Sequence, residues 1–121
     1  MPHFTLQYSA NLEHLEVGRC LAAVNAALAD SGHFQEVDIK SRAFKADHFR
    51  VGVQAEGRAF VAGQLAVLTG RTDDTRRELG EIALKALLSC LPAAPGLHIQ
   101  VSVEVVEMQR DIYAKAVLAP R

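Results

Sequence analysis

The chain has 121 residues, 50% of them hydrophobic and 22% charged, and 13 Lys and Arg against 14 Asp and Glu give a net charge of −1. This length predicts one domain spanning residues 1–121, and the composition excludes intrinsic disorder. A charge near zero argues against nucleic-acid binding by phosphate neutralisation, and no apolar run approaches the roughly 20 residues needed to span a bilayer. Met1-Pro2-His3-Phe4 lacks the basic and apolar regions of a secretory signal. Cys20 and Cys90, in apolar patterns with no CxxC, read as reduced core residues, so the expectation is a cytoplasmic protein.

Phe4-Thr5-Leu6-Gln7-Tyr8 alternates apolar and polar residues as a half-buried strand does. Ser9 and Asn11 follow as candidate caps for a helix whose apolar face is Val17, Cys20, Leu21, Val24, Ala27 and Leu28, closed by Ser31-Gly32. Val37 to Phe44 resumes period two and predicts a second strand. Lys45 to Arg58 is polar, contains Gly52 and Gly57, and reads as a loop. Ala59 to Leu68 is nearly continuous in apolar residues, as in a strand covered on both faces, and Gly70 ends it. Thr72 is positioned to cap a second helix with Asp73 and Asp74 in its first turn and a stripe of Leu79, Ile82, Ala83, Ala86, Leu87, Cys90 and Leu91. Pro92, Pro95 and Gly96 stop that helix, and Leu97 to Val105 alternates strictly as a fourth strand.

The order predicts an α+β fold of two βαβ repeats, residues 2–45 and 58–107. They form one four-stranded mixed sheet with both helices on one face. A third strand apolar on both sides leaves the other face in need of cover, most simply by further copies of the chain. The C-terminal arm, residues 108–121, holds Ile112, Tyr113, Val117 and Leu118 with no place in the core; the expectation is an arm lying on a neighbour.

Three features point to chemistry. Pro2 follows the initiator, and removal of Met1 would leave a prolyl secondary amine at the start of a strand. An α-amino group titrates near 7.7–8.0, and nearby cations or burial lower that value into the range of a useful base. A Met-Pro start is common and by itself carries no role. Lys40 and Arg42, two apart on a strand, project to the same side, opposite the helices. Their plainer reading is a solvated basic edge. Arg71 stands where a strand turns into a helix, beside backbone N–H groups that attract anions, and its guanidinium suits a carboxylate. Its plainer reading is a surface loop residue. His3 and His48 lack catalytic partners in the sequence, Glu104 and Glu107 are unpaired acids near the last strand, and no metal-ligand spacing, phosphate loop or GxSxG is present.

Taken in order, Met1-Pro2-His3-Phe4, Tyr8-Ser9-Ala10-Asn11-Leu12, Gly32-His33-Phe34, Ile39-Lys40-Ser41-Arg42, Ala59-Phe60-Val61 and Gly70-Arg71 make the chain resemble the 5-carboxymethyl-2-hydroxymuconate isomerase family of the tautomerase superfamily. The resemblance runs nearly end to end. It implies a tautomerase-like fold assembled as a homotrimer, Pro2 as catalytic amine, and Arg42 and Arg71 around the active site. It also implies no metal or organic cofactor and a small di- or tricarboxylate substrate from aromatic-acid (homoprotocatechuate) catabolism. Lys40 stands where the family often has a further arginine, keeping the charge but losing bidentate geometry. Ala62-Gly63 replaces the His that related sequences tend to carry after Phe-Val. These departures keep another superfamily activity, such as keto-enol tautomerisation or dehalogenation, as an alternative, with a non-catalytic oligomeric binding module behind it.

Overall fold

Alternation of Phe4 and Leu6 with His3, Thr5 and Gln7 builds the first strand, β1 (His3–Ser9), in a computed structural model that describes residues 1–120. It is followed by α1 (Val17–Asp30), β2 (Lys40–Ala46), β3 (Arg58–Leu68), α2 (Asp73–Cys90) and β4 (His98–Met108), with 3-10 turns at Glu36–Asp38 and Arg110–Ile112. The sheet order is β2-β1-β3-β4, with β1 parallel to β2, β3 parallel to β4, and β1 antiparallel to β3. This is the doubled βαβ unit in a mixed four-stranded sheet that the periodicity predicts.

Period two decides the faces. Phe4, Leu6, Ala59, Val61, Leu65 and Val67 are all buried on one side, beneath Cys20, Val24 and Leu28 of α1 and Leu79, Ala83, Ala86 and Leu87 of α2. The helix residues recur at i, i+4 and i+8, so each helix buries a single stripe. Thr72 caps α2 as expected, its hydroxyl accepting the Thr75 N–H at 3.2 Å. The opposite face carries His3, Thr5 and Gln7 of β1, Lys40, Arg42 and Phe44 of β2, and Phe60, Ala62, Gln64, Ala66 and Leu68 of β3. No helix among the described residues is long and apolar enough to cross a membrane.

Two expectations are corrected. Ser9 and Asn11 do not cap α1, whose N-cap is Glu16 without a side-chain bond. The buried Ser9 hydroxyl instead accepts the Phe60 N–H at 3.0 Å, and Asn11 donates to the Arg58 carbonyl at 2.8 Å, tying the first loop to β3. Backbone groups left open where β1 ends outcompete a helix end several residues away. The second strand starts at Lys40, because Glu36–Asp38 closes into a 3-10 turn that leaves Val37 at 77% exposure. The arm bonds to its own chain through Arg110, Tyr113 and Lys115, while Ile112, Val117 and Leu118 stay exposed.

Candidate active site

Strand direction gathers the candidate residues. β1 and β2 begin at the end of the sheet where β3 and β4 finish, since His3 pairs with both Lys40 and Ala66, and Leu68 with Met108. The chain terminus, Asp38 and Lys40, Arg71, and Arg110 therefore leave the sheet at one end. Gly32, at φ +81°, turns the chain out of α1 toward that end and delivers His33 and Phe34. Between them lies a cavity of about 500 Å³ lined by Met1, His33, Phe34, Gln35, Asp38, Leu68, Arg71, Arg110, Tyr113 and Lys115.

The amino terminus stands in its wall. The Pro2 ring is fully buried, and its carbonyl accepts the Lys40 N–H at 3.1 Å, the first rung of the β1–β2 ladder. The Met1 ammonium donates to the Asp38 carbonyl oxygen at 3.2 Å, and the Lys40 ammonium donates to the same oxygen at 2.6 Å. Partial burial, then Lys40 beside it and Lys115 further off, lower the terminal amine from 8.0 to about 6. The Asp38 carboxylate opposes this, but Lys115 occupies it at 3.2 Å and holds its pKa below the usual carboxylate range. Arg71 lies across the cavity with its guanidinium 4.8 Å over the Phe34 ring, donating to the His33 carbonyl at 3.3 Å.

Of the sequence-predicted residues, Pro2, Lys40 and Arg71 thus stand at this end of the sheet; Arg71 lines the cavity, and Pro2 and Lys40 adjoin it through Met1 and Asp38. Arg42 lies outside the cavity on the open face, donating to His3 Nδ1 at 2.7 Å. A guanidinium only donates, so Nδ1 accepts and the neutral ring carries its proton on Nε2. That N–H reaches the Tyr113 hydroxyl at 3.3 Å, so Arg42 connects to the cavity through His3 and Tyr113. Burial first, then Arg42, Lys40, the terminus and Lys115, push the His3 pKa down. Glu107 pairs with Arg76 and Glu104 accepts from Gln64 at 3.2 Å, both away from the cavity. Ala62 lies in a shallow polar dent on the open face with Thr5, Gln7 and Ser102.

Sequence reasoning missed Asp38, Arg110, Tyr113 and Lys115 as lining residues. The signal available was a tail whose charged and aromatic residues had no place in the core.

The family model for 5-carboxymethyl-2-hydroxymuconate isomerase matches residues 2–118. The chain belongs to this family. A structure of a 5-carboxymethyl-2-hydroxymuconate isomerase from Deinococcus radiodurans R1 superposes with a TM-score of 0.86 at 25% identity, covering 95% of this chain and 88% of its own. A second, a 5-carboxymethyl-2-hydroxymuconate delta-isomerase, gives 0.80 at 21% identity, covering 97% and 88%. A fused 4-OT symmetric trimer shares the fold at a TM-score of 0.69 and 13% identity, covering 94% and 93%. A direct sequence comparison with curated proteins gives no match. The family chain described here is accordingly an isomerase of the tautomerase superfamily.

Proposed function

We propose that the chain shifts a proton along the conjugated system of a hydroxymuconate-type diacid that carries a third carboxylate on its carboxymethyl arm, 5-carboxymethyl-2-hydroxymuconate, with the secondary amine of Pro2 as general base after Met1 is removed. The observation that carries this reading is the placement of the chain terminus in a cationic cavity, where burial and Lys40 lower the Met1 amine, one residue before Pro2, to about 6. An amine titrating near 8 is only about one-tenth neutral at pH 7, whereas one near 6 is about nine-tenths neutral. Loss of Met1 moves the amine one residue along, onto Pro2, whose carbonyl accepts the Lys40 N–H, so the cation that lowers the Met1 amine stands beside this one as well.

Neutral Pro2 takes the proton of the dienol hydroxyl and, as its ammonium, returns a proton to a carbon of the conjugated chain. Negative charge grows on the substrate oxygens during the transfer. Arg71, held over Phe34, and Lys40 stabilise that charge and bind carboxylate, while Arg42 acts from the open face through His3. The homotrimer belongs to the same reading, with the open sheet faces packed together, as does work in the cytoplasm on products of aromatic-acid breakdown.

The test is an intact mass of the purified protein followed by kinetics of the Pro2→Ala variant on 5-carboxymethyl-2-hydroxymuconate. The expected mass lacks Met1, and kcat should fall on the order of 10²–10⁴-fold, the range of a lost general base. For the unmodified sequence, kcat/KM should rise with pH through the amine pKa and level off below 8, because only the unprotonated amine reacts. Pro2→Ala turning over at the wild-type rate refutes the amine mechanism.

A further inference from the structure

We propose that Arg110, carried by the C-terminal arm, determines substrate specificity by forming with Arg71 a two-guanidinium subsite for one carboxylate of the substrate. The proposal rests on the reading above that the substrate is a conjugated diacid, and it adds a residue outside the βαβ repeats.

Topology makes the pair. β3 and β4 run parallel in register to their last residues, Leu68 opposite Met108, and Thr69 N–H extends the ladder to the Met108 carbonyl at 2.9 Å. Arg71 is three residues beyond the end of one strand and Arg110 two beyond the other. The two side chains consequently emerge from adjacent strand ends into one cavity. Arg110 is fixed at its base: its backbone N–H donates to the Thr69 hydroxyl and its Nε to the Thr69 carbonyl, each at 3.2 Å. These bonds leave both Nη groups free to point away from the backbone. Gly70 makes the turn between β3 and Arg71 with a φ of +126°, which suits glycine, and Arg110 Nη2 passes beside it.

Among the cations that line this cavity, Lys115 is paired with a carboxylate and these two are not. Arg19 pairs with Glu16, Arg77 with Asp74, and Arg76 with both Asp73 and Glu107; Lys45 pairs with Asp47 and Lys115 with Asp38. Among the described residues Arg71 and Arg110 have only carbonyl and hydroxyl partners, and no carboxylate. Two like charges converge on one cavity without a counterion, and burial together with Arg110 pushes the Arg71 pKa down. A bound carboxylate relieves that repulsion and accepts paired N–H bonds from two planar groups. The groove of about 460 Å³ between α2 and β4 offers no such site, because its arginines, Arg76 and Arg77, are already paired.

The test compares wild type, Arg110→Ala and Arg110→Lys on the diacid and on monoamide analogues that each lack one carboxylate. For Arg110→Ala the expected result is a rise in KM for the diacid of about 10–100-fold, the size of one or two lost charged hydrogen bonds, with kcat changed less than about threefold. One analogue, the one missing the carboxylate that Arg110 holds, should show the same KM in wild type and variant within about twofold, and Arg110→Lys should recover part of the loss. An unchanged KM for the diacid, or equal losses on every analogue, overturns the subsite, since a merely structural role acts on all substrates alike. If wild type turns over none of these compounds, the reaction proposed above fails separately, and calorimetric titration with adipate decides the subsite. Weaker adipate binding by Arg110→Ala than by wild type upholds it; equal binding, or none by either, overturns it.

Discussion

Gly63→Ala tests how tightly the core fixes the strand that carries Pro2. Gly63 lies opposite Leu6 in the β1–β3 pairing and faces the helices. A Cβ at this position would stand 2.6 Å and 2.8 Å from Cζ and Cε1 of Phe4 and 3.4 Å from Val103 Cγ2. Phe4 is fully buried, so its ring moves only by displacing the surrounding core. Overpacking of this kind costs about 1–3 kcal/mol, against about 0.4–1 kcal/mol gained by removing a glycine from the unfolded chain. The net expectation is a loss of about 1–2 kcal/mol. Unfolding entropy of roughly 2.1 cal/mol/K per residue over 121 residues gives about 0.25 kcal/mol/K. Tm should therefore fall by about 4–8 °C in a calorimetric or circular-dichroism melt. Phe4→Leu, which vacates the ring edge, should destabilise alone by opening a cavity, yet combine with Gly63→Ala at less than the sum of the two losses, by at least about 0.5 kcal/mol. A Gly63→Ala protein that melts at or above the wild-type temperature, or a strictly additive double variant, refutes the packing argument.

Two further outcomes follow from the electrostatics. Arg42→Gln removes the cation nearest to His3, and NMR titration should show the His3 pKa rising, though it stays below the usual histidine value because burial is the larger cause; an unchanged titration would mean that the Arg42 contact is absent in solution. Raising the salt concentration from about 0.01 M to 0.15 M shortens the screening length from about 30 Å to about 8 Å. KM for the diacid should then rise, since unpaired cations at the cavity attract it. A fall in KM would show that the net charge of −1 dominates instead.

How much of this the sequence discloses depends on the distance over which each feature is decided. Alternation in β1 and β4, the helix stripes and the Thr72 cap are set by neighbours within a few residues, and local pattern reads them. Placement of Lys40 and Arg42 opposite the helices also follows from period two, as β2 confirms. Ser9 escapes such reading because its partner is Phe60, 51 residues on, and the choice between capping a helix and joining β3 belongs to tertiary structure. Val37 escapes because an apolar residue in period with a strand can equally end up in a turn before it. The site shows the same division. Pro2, Lys40 and Arg71 stand at the starts or ends of elements and are visible as such. Arg110, Tyr113 and Lys115 join through partners 41, 110 and 77 residues away, contacts that no local period encodes.

Those long-range contacts also explain how a nearly neutral chain holds a cationic cavity. Most of the carboxylates that pair with cations do so on helix surfaces or in loops, where they are exposed and contribute little to stability. Asp38 is the exception in the cavity, and the arm supplies Lys115 to engage it. The terminal amine is thereby left with Lys40 as its nearest strong electrostatic neighbour, and burial acts with that cation rather than against it. An arm lying on another subunit would leave the Asp38 carboxylate free to stabilise the ammonium and raise the amine's pKa. The fold-back of residues 110–115 onto their own chain thus places Lys115 on the one acid that stands beside the chain terminus.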